Sequence, residues 1–152
     1  MWIFMRLVLQ RVKHAQVNIG AQVIGRISQG LLIFLAVAKE DANNDADSLV
    51  QKVFELRVFE DTQGKMNLSA IDVQAEILVV SQFTLLGDCR KGRRPSFDQA
   101  AEPSKAEELY NYFIQQLRQR NLKVETGQFR AMMDVELVND GPVTFLLESK
   151  KL

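Results

Sequence analysis

Three short segments hold the side chains best suited to chemistry. Ser81-Gln82-Phe83-Thr84 puts two hydroxyls and an amide at the end of a very apolar run. Polar groups there can lie exposed at a sheet edge and offer side-chain and main-chain donors to a ligand; the plainer alternative is a strand end with routine hydrogen bonds. Asn139-Asp140-Gly141-Pro142-Val143-Thr144-Phe145 sets Asp-Gly, a common tight-turn pair, ahead of a proline. Pro142 lacks an N–H, and a cis X-Pro bond would aim successive carbonyl oxygens one way, but periodicity alone favours a plain turn between strands. Arg90-Lys91-Gly92-Arg93-Arg94 packs four cations into five residues. Like charges that close repel unless an anion sits among them, so phosphate contact competes with a solvated loop.

Other catalytic machinery is thin. His14 is the only histidine, in a strand-like surface stretch, so a Ser-His-Asp or Cys-His arrangement would have to recruit it. Cys89 lies beside Arg90 and Lys91, cations of the kind that accompany reactive thiols, though an incidental cysteine in a polar loop is the commoner case. One cysteine and one histidine cannot build a Cys/His zinc site, and no Gly-rich phosphate loop follows a strand and opens a helix. No metal or cofactor is expected.

The elements that must position these segments show in the hydrophobic pattern. Alternation at Leu7, Leu9 and Arg11, then at Ala15, Val17 and Ile19, predicts strands with one buried face, and Gly20 a turn into a return strand over 23–27. Leu31 to Ala38 is apolar at every position and reads as a strand buried on both faces. Leu49, Val53 and Leu56 predict an amphipathic helix with Asn and Asp ahead of it as caps, and Gly64 a turn. A strand is expected from Glu76 to about Leu85. Ser104 and Glu107 form a capping box for a second helix, with Leu109, Phe113 and Leu117 as its stripe. Met133, Val135 and Leu137 alternate ahead of the Asn139–Pro142 turn and a last strand over 143–147, a hairpin-like end.

With 152 residues, 47% hydrophobic and 25% charged, this is the composition of one soluble core. Nineteen Lys plus Arg against nineteen Asp plus Glu leave attraction to nucleic acid to local clusters such as 90–94. No linker, repeat or charge block divides residues 1–152. They are expected to form one α+β domain in β/β/α layers, mostly antiparallel sheets packed face to face with two helices covering one of them. The longest apolar run is far short of a membrane span. Met1 to Phe4 lack the features of an export signal, and Met5-Arg6 is an equally good beginning, so residues 1–4 are read as an extension that adds little to a cytoplasmic protein.

Taken together, SQFTLLGD (Ser81 to Asp88) and NDGPVTF (Asn139 to Phe145) resemble the two signature motifs of the D-aminoacyl-tRNA deacylases, the D-tyrosyl-tRNA deacylase family. The likeness extends through LQRV near the start, GKMNLS (Gly64 to Ser69), RRPSF (Arg93 to Phe97), LYNYF (Leu109 to Phe113) and TGQF (Thr126 to Phe129), leaving out only Met1 to Phe4 and Ser149 to Leu152. Gly87, Cys89 and Met132 stand where the family more often has other residues.

The resemblance implies a cytoplasmic homodimer, without cofactor, metal or membrane, that hydrolyses the ester between a D-amino acid or mischarged glycine and the 3′ end of tRNA. It implies a cis Gly141-Pro142 pair inserted into the neighbouring subunit's site, offering carbonyls to the substrate's α-ammonium. Asn139, Val143, Thr144 and Phe129 would complete this chiral filter, and Arg11 would brace it. Ser81, Gln82, Phe83 and Thr84 would form the catalytic segment, with main-chain N–H groups around Gln82 and Phe83 facing the oxyanion. The tRNA's terminal 2′-hydroxyl would assist, with Thr84 a positioning residue, and Arg90, Lys91, Arg93 and Arg94 would contact phosphates. The competing readings are a non-catalytic tRNA-binding or assembly module and an esterase with Thr84 as nucleophile.

Overall fold

Both alternating stretches at the start belong to one long strand, β1 (Arg6–Ile19), in the computed structural model, which describes residues 3–151. Met1 and Trp2, half of the expected extension, lie outside the described residues. β2 (Gln22–Ile27) folds back along the second half of β1 through the Gly20 turn, as its pattern predicts. β3 (Gly30–Ala36) pairs antiparallel with the first half.

Two helical crossovers follow. α1 (Asn43–Glu55), a ribbon of β4 (Phe59–Glu60) and β5 (Met66–Leu68), and a short α2 (Ala70–Val73) lead into β6 (Glu76–Ser81), which lies parallel to β3. α3 (Pro103–Arg118) then leads into β7 (Val124–Thr126), parallel to β6. β8 (Asp134–Glu148) runs antiparallel along the other edge of β1.

The expected architecture is therefore corrected on two points. The main sheet is mixed, in the order β2-β1-β3-β6-β7 with β8 on β1, rather than a pair of mostly antiparallel sheets. There are three helices among the described residues, not two. The parallel pairs have a direct cause, since two strands running the same way need a long connection, and α1 and α3 lie in those connections.

Of the stripes read from sequence, Leu49 and Val53 from α1, and Leu109, Phe113 and Leu117 from α3, pack with Leu7, Leu9, Ile33 and Val79 in one core, while Leu56 lies just past the end of α1 and is only partly buried against it. A second core, of Val12, Ala15, Val17, Ile27, Leu32, Leu78 and Val80, lies on the opposite face, where the sheet curls into a barrel-like shape. Gly25 permits that curl, because a Cβ there would fall 2.6 Å from the Thr126 carbonyl oxygen.

Neither helix starts as its caps suggest. Pro103 occupies the first turn of α3, where its missing N–H costs nothing, so Ser104 lies inside the helix and caps nothing. At α1 the cap position is Ala42, whose N–H donates to Asp45 Oδ2 at 2.9 Å. Among the described residues no helix is long and apolar enough to cross a membrane.

A buried acidic pair ties both chain ends to this core. Asp41 accepts from the N–H of Met5 at 3.0 Å and of Ala38 at 2.6 Å, while Asp45 accepts from the Ser149 hydroxyl at 2.8 Å. Burial pushes the Asp41 carboxyl up to about 6, Asp45 adding to the rise, while the two N–H donors and Lys150 oppose it. A carboxyl raised on folding takes up its proton in the folded state first, so between its unfolded value and about 6 stability increases as pH falls. Asp61, Asp72 and Asp88 are shifted the other way and act only below the ordinary carboxylate range. Urea midpoints are therefore expected to rise from pH 7 to pH 5, and Asp41→Asn to remove that rise.

Candidate active site

The apolar strand expected to reach Leu85 ends at Ser81. The Gln82 N–H donates to the Leu35 carbonyl at 2.8 Å, the last bond toward β3, and residues 83–86 then wind into a 3-10 turn. Gln82 N–H is thus spent on the sheet. Phe83 and Thr84 instead head the turn, where N–H groups have no acceptor within the helix. The Gln82 side-chain amide donates to the Thr84 hydroxyl, fixing it. No carboxylate or imidazole among the described residues is hydrogen-bonded to Ser81 or Thr84. His14 lies exposed on β1, opposite Val138.

Phe129 follows β7 beside this strand end. The Gly127 N–H donates to the Val79 carbonyl at 3.1 Å, and the Tyr110 hydroxyl donates to the same oxygen at 3.0 Å. The Phe129 ring lies 5.9 Å from the Tyr110 ring and lines an open groove of about 520 Å³ with Tyr110, Ile114, Thr126 and Gly127. Burial pushes the Tyr110 hydroxyl up to about 12, so it remains a donor throughout the neutral range.

The Asn139–Pro142 segment makes no hairpin. β8 continues through it on the same neighbour, with Thr144 opposite Gln10 and Asn139 opposite Val12, so residues 140–143 form an excursion facing Arg11 alone. The Gly141–Pro142 peptide is cis, and both residues are exposed. The excursion breaks the ladder, and side chains replace the lost bonds. Asn139 Nδ2 donates to the carbonyls of Arg11 at 2.9 Å and Val143 at 3.1 Å, bridging the base of the excursion. Val143 anchors it in the helix-side core, and the Thr144 hydroxyl accepts from Gln10 at 3.3 Å.

Arg11, buried, spreads its guanidinium underneath. Nε donates to the Asp140 carbonyl at 3.3 Å and lies 3.4 Å from Asp140 Oδ2, Nη1 donates to the Val58 carbonyl at 2.7 Å, and Nη2 lies 3.6 Å from Glu60 Oε1. Gly141 has φ +117, and a Cβ there would stand 2.6 Å from Arg11 Nη2, so residue 141 must be glycine for the arginine to sit so close. Val58, Glu60 and the Asp140 side chain are partners that sequence reasoning missed. None carries a local signal, because each acts through a residue distant in the chain.

The two signature segments do not meet within one chain. From Arg11 the register runs to Leu31 on β3 and Ile77 on β6, and Ser81 is four residues further along. Strand spacing and rise put Gly141 about 20 Å from Ser81.

The basic segment hangs from a closed loop. Paired bonds between the main chains of Asp88 and Ser96, at 2.7 and 3.0 Å, shut its base, and Gly92 (φ +67) turns its tip. Arg90 bends back onto Asp88, Nε to Oδ1 at 2.9 Å and Nη2 to Oδ2 at 2.7 Å, which holds the Asp88 carboxyl well below the usual carboxylate range. Lys91, Arg93 and Arg94 stay exposed. Among the described residues no group of three or more His, Cys, Asp or Glu is arranged to hold a metal ion.

Comparison with known proteins places this arrangement. A protein called D-aminoacyl-tRNA deacylase from Thermosipho melanesiensis is 55% identical over 149 residues, 97% of this chain and 99% of its own. One of the same name from Thermotoga petrophila is 57% identical over 148 residues, again 97% and 99%. The solved structure of the c-Myc DNA Unwinding Element Binding Protein superposes with a TM-score of 0.89 at 42% identity, covering 95% of this chain and 98% of that one. The sequence profile of the family described as D-Tyr-tRNA(Tyr) deacylase matches residues 8–148, from within β1 to the last residue of β8, and the chain belongs to that family.

Proposed function

We propose that this protein hydrolyses the ester joining a D-amino acid, or mischarged glycine, to the 3′ end of tRNA. It acts as a cytoplasmic homodimer in which Gly141-Pro142 of one subunit enters beside Ser81–Thr84 of the other. The observation that carries this reading is the separation of the two segments: a braced, exposed Gly-Pro excursion lies about 20 Å from the strand end it would have to serve. A second copy closes that gap. The length of β8 also favours one, since its far edge pairs with no strand among the described residues and exposes Phe145 (39%) and Leu146 (57%).

Main-chain carbonyls of Gly141 and Pro142 hold the α-ammonium, and N–H groups at the head of the 3-10 turn, led by Phe83, face the developing oxyanion. With both ends of the aminoacyl group fixed by backbone, only one hand lets its side chain point away from the Gly-Pro wall. Glycine has no side chain to exclude. The terminal 2′-hydroxyl of the tRNA assists the attack of water on the ester carbon, which breaks the bond to the ribose 3′-oxygen and frees the amino acid. Thr84, held by Gln82, positions rather than attacks, because among the described residues no base is hydrogen-bonded to it.

Incubation with D-tyrosyl-tRNA and L-tyrosyl-tRNA tests this: the D form is expected to be released and the L form retained. Binding without release of either would instead identify a tRNA-binding module. Thr84→Ala is expected to keep deacylation within about tenfold, whereas loss of a nucleophile costs on the order of 10⁶. The double variant Arg93→Glu, Arg94→Glu should raise KM for tRNA and flatten the dependence of log affinity on log salt by about 1.5 to 2, with chirality unchanged, because phosphate contacts carry position and not selectivity.

A further inference from the structure

Phe97 belongs to none of the roles described above. It is 36% exposed and meets Phe83, itself 54% exposed, edge to face, with centroids 5.0 Å apart and planes at 64°. Its ring rests against the 3-10 turn, for a Cβ on Gly87 would lie 3.0 Å from Phe97 Cε1 and 3.1 Å from the Thr84 carbonyl oxygen. The Asp88–Ser96 closure sits immediately before Phe97 in the chain, so the aromatic pair and the base of the basic loop share one place on the surface. Arg90, though exposed, is held on Asp88, while Lys91, Arg93 and Arg94 are exposed further along the loop whose base adjoins Phe97.

Exposed aromatic rings bordered by cations suit single-stranded nucleic acid, since bases stack on the rings whatever their sequence while the cations follow the phosphates. A paired helix hides its base faces and gains only the charge. We propose that Phe97, supported by Phe83, is a stacking platform for an unpaired base of the RNA 3′ end, just inside the terminal nucleotide, with Lys91, Arg93 and Arg94 on the flanking phosphates. This rests on reading the substrate as aminoacyl-tRNA. It adds a contact that grips the acceptor end independently of the amino acid, and so independently of its handedness.

The test compares the unaltered protein with Phe97→Ala and Phe97→Tyr, measuring kcat and KM on D-tyrosyl-tRNA, the Kd for an uncharged single-stranded RNA ending in CCA, and assembly mass by light scattering. Phe97→Ala is expected to raise KM and the oligomer Kd about tenfold with kcat within about twofold and mass unchanged, and Phe97→Tyr to restore both. Phe97→Trp should add a fluorescence signal, quenched by the oligomer, to that of Trp2, the chain's only native tryptophan. Deacylation by the unaltered protein with KM and Kd unmoved in Phe97→Ala overturns the platform alone. A change of assembly mass with oligomer affinity unmoved overturns it in favour of a contact between copies. No release of D-tyrosine by the unaltered protein overturns the substrate reading and the platform together.

Discussion

Arg11→Lys is expected to lower kcat/KM for D-tyrosyl-tRNA about a hundredfold and to narrow the margin between D and L substrates. The guanidinium works as a fork: one nitrogen donates to the Asp140 carbonyl, another to the Val58 carbonyl at 2.7 Å, and a third faces Glu60. Lysine keeps the charge but concentrates it at one point, so it cannot hold Val58 and Asp140 at once. The Gly141-Pro142 excursion then loses its floor, and a displacement of about 1 Å in a positioning group costs on the order of 10² in rate. Stability should fall by only about 1–3 kcal/mol, the cost of one buried acceptor left unmet. Rates on both enantiomers, measured beside thermal unfolding, separate the two effects: a loss of rate that merely follows a loss of folded protein would contradict the bracing role.

Gly30→Ala should be the most damaging change to the fold. A Cβ there would stand 1.8 Å from the Glu76 carbonyl oxygen and 2.7 and 2.8 Å from the Glu76 carbonyl carbon and nitrogen. All three are main-chain atoms in the first rung of the parallel pairing that ends with Leu35 opposite Ser81. No rotamer change relieves such a contact, so β3 and β6 must separate. The expected cost is about 4 kcal/mol or more, a fall in Tm of about 10 °C, with activity lost because Ser81–Thr84 hang from the far end of the same ladder. A normal melting temperature in this variant would contradict the register.

What could be read from the sequence was local. The stripe of α3, the β2 return and the all-apolar β3 are patterns within one element; the first two are found where their patterns put them, and the run of Leu31 to Ala38 forms β3 except for its last two residues, which lie beyond the strand. The signature segments could be found for the same reason, since each is contiguous. Strand direction was not readable, because the run around Leu31 to Ala36 looks the same whether its neighbour is parallel or antiparallel. Its apolarity at every position was the only hint of a strand covered on both faces. The Asp140-Gly141 pair suggested a reversal because the local chemistry of a turn and of a bulge is alike. What keeps β8 straight is Arg11 and Asn139, and Arg11 lies on another strand. Phe97 carries no local signal of a role, since its closeness to Phe83 depends on the Asp88–Ser96 closure, which no spacing reveals.

Asn139 and Thr144 are both zipped to β1, on either side of the excursion, within a ladder that runs from Arg6 to Asn18. An excursion clamped at both ends into the longest pairing of the sheet could shift only by peeling an edge strand off the domain. If Gly141-Pro142 acts as the proposed chiral wall, an acyl group of the wrong hand would meet one that does not yield. Breadth toward amino acids and strictness toward handedness would then have one mechanical origin, and substitutions that soften β8 far from the site should blunt discrimination before they touch affinity.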